Sequence, residues 1–193
     1  MSAALQLHSD REQFFARLKP DSSAWLSPNH EWLACMIASW CAGQGVLPDF
    51  MGLESGQFSQ LKNHLFPGIG IPDQAASGSK PDFSRMLEKD DLINLLKSSS
   101  QADIAETDWI IGILVAGSLG SDHLWQDLGL WSRSQLSAML QYNFPELAAK
   151  NTKDMKWKKF LYKQLCEAEG LYLCRVPSCE VCTDYAKCYG SEE

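Results

Sequence analysis

Apolar positions in this chain recur at intervals of three and four nearly throughout, the spacing that gathers them on one face of a helix. In DREQFFARLK, Phe14, Phe15 and Leu18 share such a face before Pro20 stops the run. Ser27-Pro28 predicts the start of a second helix, with a capping hydroxyl followed by proline where its missing N–H is tolerated. Trp32, Leu33, Met36, Ile37 and Trp40 give that helix a broad apolar stripe, and Gly43 and Gly45 are expected to end it. A third helix is expected from about Gly56 to Phe66, with Phe58, Leu61 and Leu65 in register.

The run PGIGIPDQAASGSKPD, residues 67–82, breaks the pattern and reads as a mobile loop. Its Gly68-Ile-Gly70 lacks the third glycine and the preceding strand of a nucleotide fingerprint. Helical spacing resumes in FSRMLEKDDLINLLKS and DWIIGILVAGSL, followed by a turn at Gly120-Ser121-Asp122 and the short segment HLWQDLGL. Ser132 and Gln135 match a capping box at the head of SRSQLSAMLQYNF. In the last helix, MKWKKFLYKQLCEAE, the residues Trp157, Phe160, Leu161 and Leu165 form the inner face, with Lys156, Lys159 and Lys163 outside and Gly170 as the stop. No alternating run demands a sheet, and no internal repeat is present. The expected fold is all-α, one helical domain over residues 1–170 with a cysteine-rich tail over 171–193.

Composition and charge narrow the partners. The 193 residues are 45 % apolar and 21 % charged, ordinary for a globular domain with a proper core. A net charge of −7 and a pI near 5.1 argue against nucleic acid, since phosphate binding needs a dominant basic surface. The most apolar stretch, WIIGILVAGSLG from Trp109, is shorter than the ~20 residues that span a bilayer and reads as a buried helix, so no membrane association is expected. The N-terminus has no basic region followed by a long apolar run. A cytoplasmic location is therefore expected, and there thiols stay reduced. The odd count of seven cysteines also weakens a disulfide framework.

Four of those cysteines crowd into CRVPSCEVCTDYAKC, as Cys174, Cys179, Cys182 and Cys188 in the pattern C-x4-C-x2-C-x5-C. The C-x2-C step lets two thiolates converge from one turn. Pro177, Thr183 and Asp184 suit a loop, whereas a helix would put Cys174 and Cys179 roughly 140° apart. Four gathered thiolates require a compensating cation, because an uncompensated buried charge is too costly. Structural zinc ordinarily joins two knuckles across a longer spacer, while here all four ligands lie in one uneven run, which favours an iron–sulfur cluster. The first three match the C-x4-C-x2-C start of plant-type ferredoxins, but the fourth cysteine of that pattern lies far downstream. A zinc-stapled adaptor and an iron–sulfur electron carrier or redox sensor stay open as alternatives.

The segment MKWKKFLYKQLCEAEGLYLCRVPSCEVCTDYAKCYG resembles the C-terminal signature of the NifQ family, and HLWQDLGLWSRSQLSAMLQYNFPELAAKN before it is similar to the same family. The likeness is strong over residues 120–190 and looser in the N-terminal half. Tyr189 departs from the phenylalanine expected after the last cysteine. The resemblance implies a non-enzymatic carrier in nitrogen fixation that donates molybdenum for the iron–molybdenum cofactor of nitrogenase. It implies an iron–sulfur cluster of 4Fe–4S or Mo–3Fe–4S type, with the family cysteines falling on Cys174, Cys179, Cys182 and Cys188. The implied partners are the nitrogenase cofactor scaffold proteins and the nitrogenase iron protein.

Other candidates have plainer readings. Cys166 is either a further ligand, an exchange partner or a half-buried thiol, and the last is favoured. Cys35 and Cys41 read as core. His123 could ligate a metal but reads first as a local cap or packing residue after Asp122, and His8, His30 and His64 have no suggestive company. The lysines of KNTKDMKWKKFLYK are candidates for attracting molybdate or an acidic partner, though such a run is ordinarily the solvated face of an amphipathic helix.

Overall fold

Ser27 shows how closely local sequence dictates this fold. Its backbone is extended (φ −153°, ψ 165°), and its Oγ accepts from the His30 N–H at 3.2 Å, with Pro28 at the first helical position. The computed structural model describes residues 3–20, 24–78 and 88–168, and every regular element among them is helical. These are α1 (Ala3–Leu18), α2 (Pro28–Cys41), α3 (Ser55–Leu65), α4 (Lys89–Ser98), α5 (Thr107–Gly117), α6 (Leu124–Asp127), α7 (Arg133–Asn143), α8 (Pro145–Ala149) and α9 (Trp157–Ala168), with a 3-10 turn at Asp49–Gly52. The all-α expectation holds over this span; Gly170 and the segment 171–193 lie outside the described residues.

Two helices form the centre. Leu33, Ala34, Cys35, Met36, Ile37, Ala38 and Trp40 of α2 are all at most 1 % exposed, so burial runs almost round the helix rather than along one stripe. Helix α5, the stretch too short for a bilayer, is likewise buried through Ile110, Ile111, Ile113, Leu114, Val115 and Ala116. No helix among the described residues is long and apolar enough to cross a membrane. Around this pair, α1 and α7 pack on α2, α4 packs on α5, and α9 packs on α4. Each buried leucine or isoleucine contributes about 1.5–3 kcal/mol relative to exposure.

Several boundaries differ from the sequence expectation for physical reasons. Helix α8 was not predicted; Pro145 starts it immediately after Phe144, whose φ of −136° ends α7. The Ser132 Oγ accepts from the Gln135 N–H at 3.2 Å, but Gln135 Oε1 returns to the N–H of Trp131 (2.7 Å), one residue before the cap. Of the helix expected over 83–98, residues 89–98 are helical and 83–87 lie outside the described residues. The described part of the expected loop, 67–78, contains no helix. It is tied down by Phe50 N–H to Asp73 O (2.9 Å), Ala75 N–H to Asp49 Oδ1 (2.9 Å) and the Lys62–Asp73 ion pair (2.6 Å).

A polar clasp crosses this apolar interior. Asn29 on α2 and Asn143 on α7, both fully buried, exchange reciprocal amide hydrogen bonds of 2.8 Å, and Asn143 Nδ2 also donates to the Met139 carbonyl. The Asn143 carbonyl accepts from the Gln101 N–H at 2.8 Å, which holds the chain between α4 and α5 against α7. Truncation of Asn143 removes both of these partners of the buried Asn29 amide. Asn143→Ala is expected to destabilise the protein by about 2–3 kcal/mol, the upper part of the range for an orphaned buried group. Urea denaturation would show a lower midpoint with unchanged slope, and an unchanged midpoint would contradict the clasp.

Candidate metal centre

Cys174, Cys179, Cys182 and Cys188 lie outside the described residues. Helix α9, which precedes them in the sequence, is described. Helix α9 is anchored by Trp157, Phe160, Leu161, Tyr162 and Leu165, all 7 % exposed or less. The inner face is therefore the one read from the sequence, with Tyr162 added. Trp157 Nε1 donates to Ser137 Oγ of α7 at 3.0 Å, and its ring meets Phe160 edge-on at 5.6 Å.

A buried ion pair completes the anchor. Lys158 Nζ donates to Asp127 Oδ2 and, at 2.8 Å, to the Gly120 carbonyl. Asp127 is 1 % exposed and Lys158 9 %, and the Asp127 backbone carbonyl accepts from the Val46 N–H at 2.9 Å. One residue on α6 thus ties α9, the 117–120 turn and the exit of α2 together. Two glycines make the approach possible: a Cβ on Gly120 would collide with the Asp127 carboxyl group. One on Gly45, whose φ is +79°, would sit 2.8 Å from the Asp127 carbonyl oxygen. Burial pushes the Asp127 carboxyl group up and the Lys158 ammonium group down, and the attraction between them opposes both shifts.

The remaining cysteines and histidines separate by environment. Burial pushes the Cys35 thiol up to about 12 and the Cys41 thiol up to about 11, which favours the neutral thiol at both positions. Cys35 Sγ lies 3.7 Å from Gln135 Nε2, a packed core position as expected. Cys166 on α9 is partly buried. His123 is the cap of α6: its side chain accepts from the Gln126 N–H, and Gln126 Oε1 accepts from the His123 N–H at 3.3 Å. His30 is buried between Trp25 and Phe66, its Nδ1 accepting from the Leu26 N–H at 3.2 Å. Among the described residues, no group of three or more histidine, cysteine, aspartate or glutamate side chains could hold a metal ion.

Sequence reasoning missed Lys158. Its signal was present, because Lys158, Leu161, Tyr162 and Leu165 follow the i, i+3, i+4, i+7 spacing of a buried stripe. A lysine on such a stripe needs an acid from another element, and Asp127 supplies it.

The class is thus a helical protein whose last described helix is firmly docked and is followed in the sequence by four closely spaced cysteines. A family model described as NifQ matches residues 32–190, from within α2 through all four of those cysteines. Protein NifQ of Azotobacter vinelandii is 41 % identical over 174 residues, covering 85 % of this chain and 89 % of that protein. Protein NifQ of Rhodobacter capsulatus is 33 % identical over 160 residues, covering 83 % and 87 %. Protein NifQ of Klebsiella pneumoniae is 30 % identical over 174 residues, covering 84 % and 99 %. No solved structure matches the chain significantly. The chain belongs to the NifQ family, the molybdenum donors for iron–molybdenum cofactor biosynthesis in nitrogen fixation, and is a carrier rather than a catalyst.

The ion pair at the base of α9 yields a double-mutant test. Lys158→Met leaves the Asp127 carboxylate buried without its cation and is expected to destabilise the fold by about 3–5 kcal/mol. Adding Asp127→Leu should recover most of that loss, since a buried pair and an apolar pair of similar volume are often equivalent. Chemical denaturation of the two single variants and the double variant checks this. Additive losses would mean that the two side chains do not act as a pair.

Proposed function

We propose that Cys174, Cys179, Cys182 and Cys188 together hold an iron–sulfur cluster, of 4Fe–4S or Mo–3Fe–4S type, and that molybdenum travels on it as cargo. The observation that carries this reading is the four-cysteine run itself, which falls wholly within the matched family region. The chemistry of the donor set fits. Cys35 and Cys41 are held as neutral thiols by burial, and the described body offers no alternative cluster of ligands. Four thiolates in a short segment can supply one ligand to each metal corner of a cubane.

The cluster, when bound, supplies a soft, sulfur-rich environment suited to reduced molybdenum. The chain's own part is to present the thiolates and to fix their starting point through α9. On this reading, residues 1–170 form the helical carrier body and 171–193 the cluster-bearing tail. Delivery goes to the nitrogenase cofactor scaffold proteins in company with the nitrogenase iron protein, in the cytoplasm, without nucleic acid or membrane.

Anaerobic purification followed by assay of iron, acid-labile sulfide, molybdenum and zinc is the decisive measurement. Iron and sulfide are expected, and serine at any one of Cys174, Cys179, Cys182 or Cys188 should lower both, whereas Cys35→Ser and Cys41→Ser should not. Far-ultraviolet circular dichroism of the tail variants should keep the helical signal, because the core is assembled upstream of residue 171. Stoichiometric zinc without sulfide would replace the carrier reading with a zinc-stapled adaptor.

A further inference from the structure

The sequence is acidic overall, yet residues 150–163 carry six lysines, Lys150, Lys153, Lys156, Lys158, Lys159 and Lys163. The fold does not spread them evenly. Lys158 is withdrawn into the ion pair with Asp127. Lys150, Lys153 and Lys163 instead line one cleft of about 270 Å³ between the 150–155 loop and α9, where it also touches the edges of the buried Met155 and Phe160.

Local hydrogen bonding gives the cleft its shape and sign. Asn151 closes the loop by accepting from the Met155 N–H at 2.8 Å and donating to the Met155 carbonyl at 3.0 Å. That closure presents Thr152 and Lys153 along the rim. The acid of the loop, Asp154, has φ +50° and is turned out of the cleft into a bidentate contact with Arg133, with oxygens 2.5 and 2.8 Å from the guanidinium. Glu167 is the one carboxylate in the lining, and it is engaged by Gln164 Nε2 at 2.6 Å and Lys163 Nζ at 3.3 Å. Lys150 and Lys153 make no ion pair among the described residues. The result is a concave, positively charged spot with hydroxyl and amide donors, on a protein of net charge −7. Exposed lysines gathered round a cleft raise the local concentration of anions there.

We propose that this cleft is a docking site for a tetrahedral oxyanion dianion, molybdate, bound before the metal reaches the thiolates. The inference rests on the molybdenum-carrier reading and adds an entry point to it. Lys150 and Lys153 supply the charge, and Lys163 and Thr152 supply further donors. The cleft also stands near the tail in chain terms. Glu167 lines it, and seven residues of extended backbone keep Cys174 within about 25 Å. No bond to molybdenum forms or breaks at this site, where the oxyanion is held by hydrogen bonds and charge alone.

The test is equilibrium dialysis of full-length protein against molybdate at low ionic strength, with molybdenum counted per chain. Lys150→Ala with Lys153→Ala is expected to weaken molybdate binding about tenfold. A control that removes two exposed lysines elsewhere, Lys19→Ala with Lys97→Ala, should leave it unchanged. Equal binding by the cleft variant, equal weakening by the control, or no molybdate binding by the wild type would overturn the proposal. The variant with serine at Cys174, Cys179, Cys182 and Cys188 should still bind molybdate. Loss of binding there, with the lysine variant unaffected, overturns the cleft and leaves the carrier reading intact. The carrier reading itself fails on a separate result: cluster-bearing protein from molybdate-supplied cells that contains no molybdenum.

Discussion

The contact between Asp127 and Lys158 is the constraint on which the useful geometry of this molecule depends. Helix α9 could be held by its apolar face alone, but a greasy face tolerates sliding and rotation. A buried charge pair does not, because any displacement strands an ammonium or a carboxylate away from water. The pair meets at one point, with the Gly120 carbonyl as a third member and the Asp127 backbone bonded to Val46. Net stabilisation from such a pair is small. Its effect is to select one position of α9, and so one starting point for the segment that follows.

Fixing that position is worthwhile only if the body beneath is rigid, and the arrangement of α2 and α5 makes it so. Both are buried almost all round, which is unusual for helices of fourteen and eleven residues in a chain of this size. The Asn29–Asn143 clasp then sets the register between α2 and α7, and Ser27 Oγ, donating to Glu106 at 2.8 Å, ties the start of α2 to the start of α5. Polar contacts of this kind add modestly to stability. They exclude alternative packings that an all-apolar interface would permit.

The sequence disclosed those parts of the fold in which local chemistry has one solution. Ser27-Pro28, the Ser132 cap and the inner face of α9 were legible because a cap or an apolar stripe declares itself within a few residues. The buried Lys158 was not, because its partner lies 31 positions away on a four-residue helix. The turn at Phe50 and Met51 was equally hidden. Both residues adopt left-handed backbone (φ 57° and 55°), a conformation that long side chains avoid unless tertiary packing compels it. Here the side chain of Met51 is fully buried and the Phe50 N–H is held by Asp73. At the metal centre the pattern was legible in a different sense. Spacing named the four cysteines as donors, and the family match spans them, but spacing alone left zinc and iron–sulfur both open.

The distribution of charge follows from the chemical conflict in carrying molybdenum. Molybdate is a hard oxyanion that hydrogen-bond donors and cations recognise, whereas thiolate and sulfide suit the reduced metal. Thiolates carry negative charge and repel an approaching dianion, so a site made only of cysteines is poorly built for capture from water. A protein that must do both needs two environments of opposite sign, near enough for passage and separate enough not to neutralise each other. On the proposed reading, the lysines of the 150–163 region and the cysteines that follow Glu167 in the sequence would supply those two environments. The inner face of α9 belongs to the core, and Lys163, Gln164 and Glu167 of the same helix border the cleft. Against the net negative charge of the whole chain, a local gathering of lysines stands out as a place where an anion is attracted.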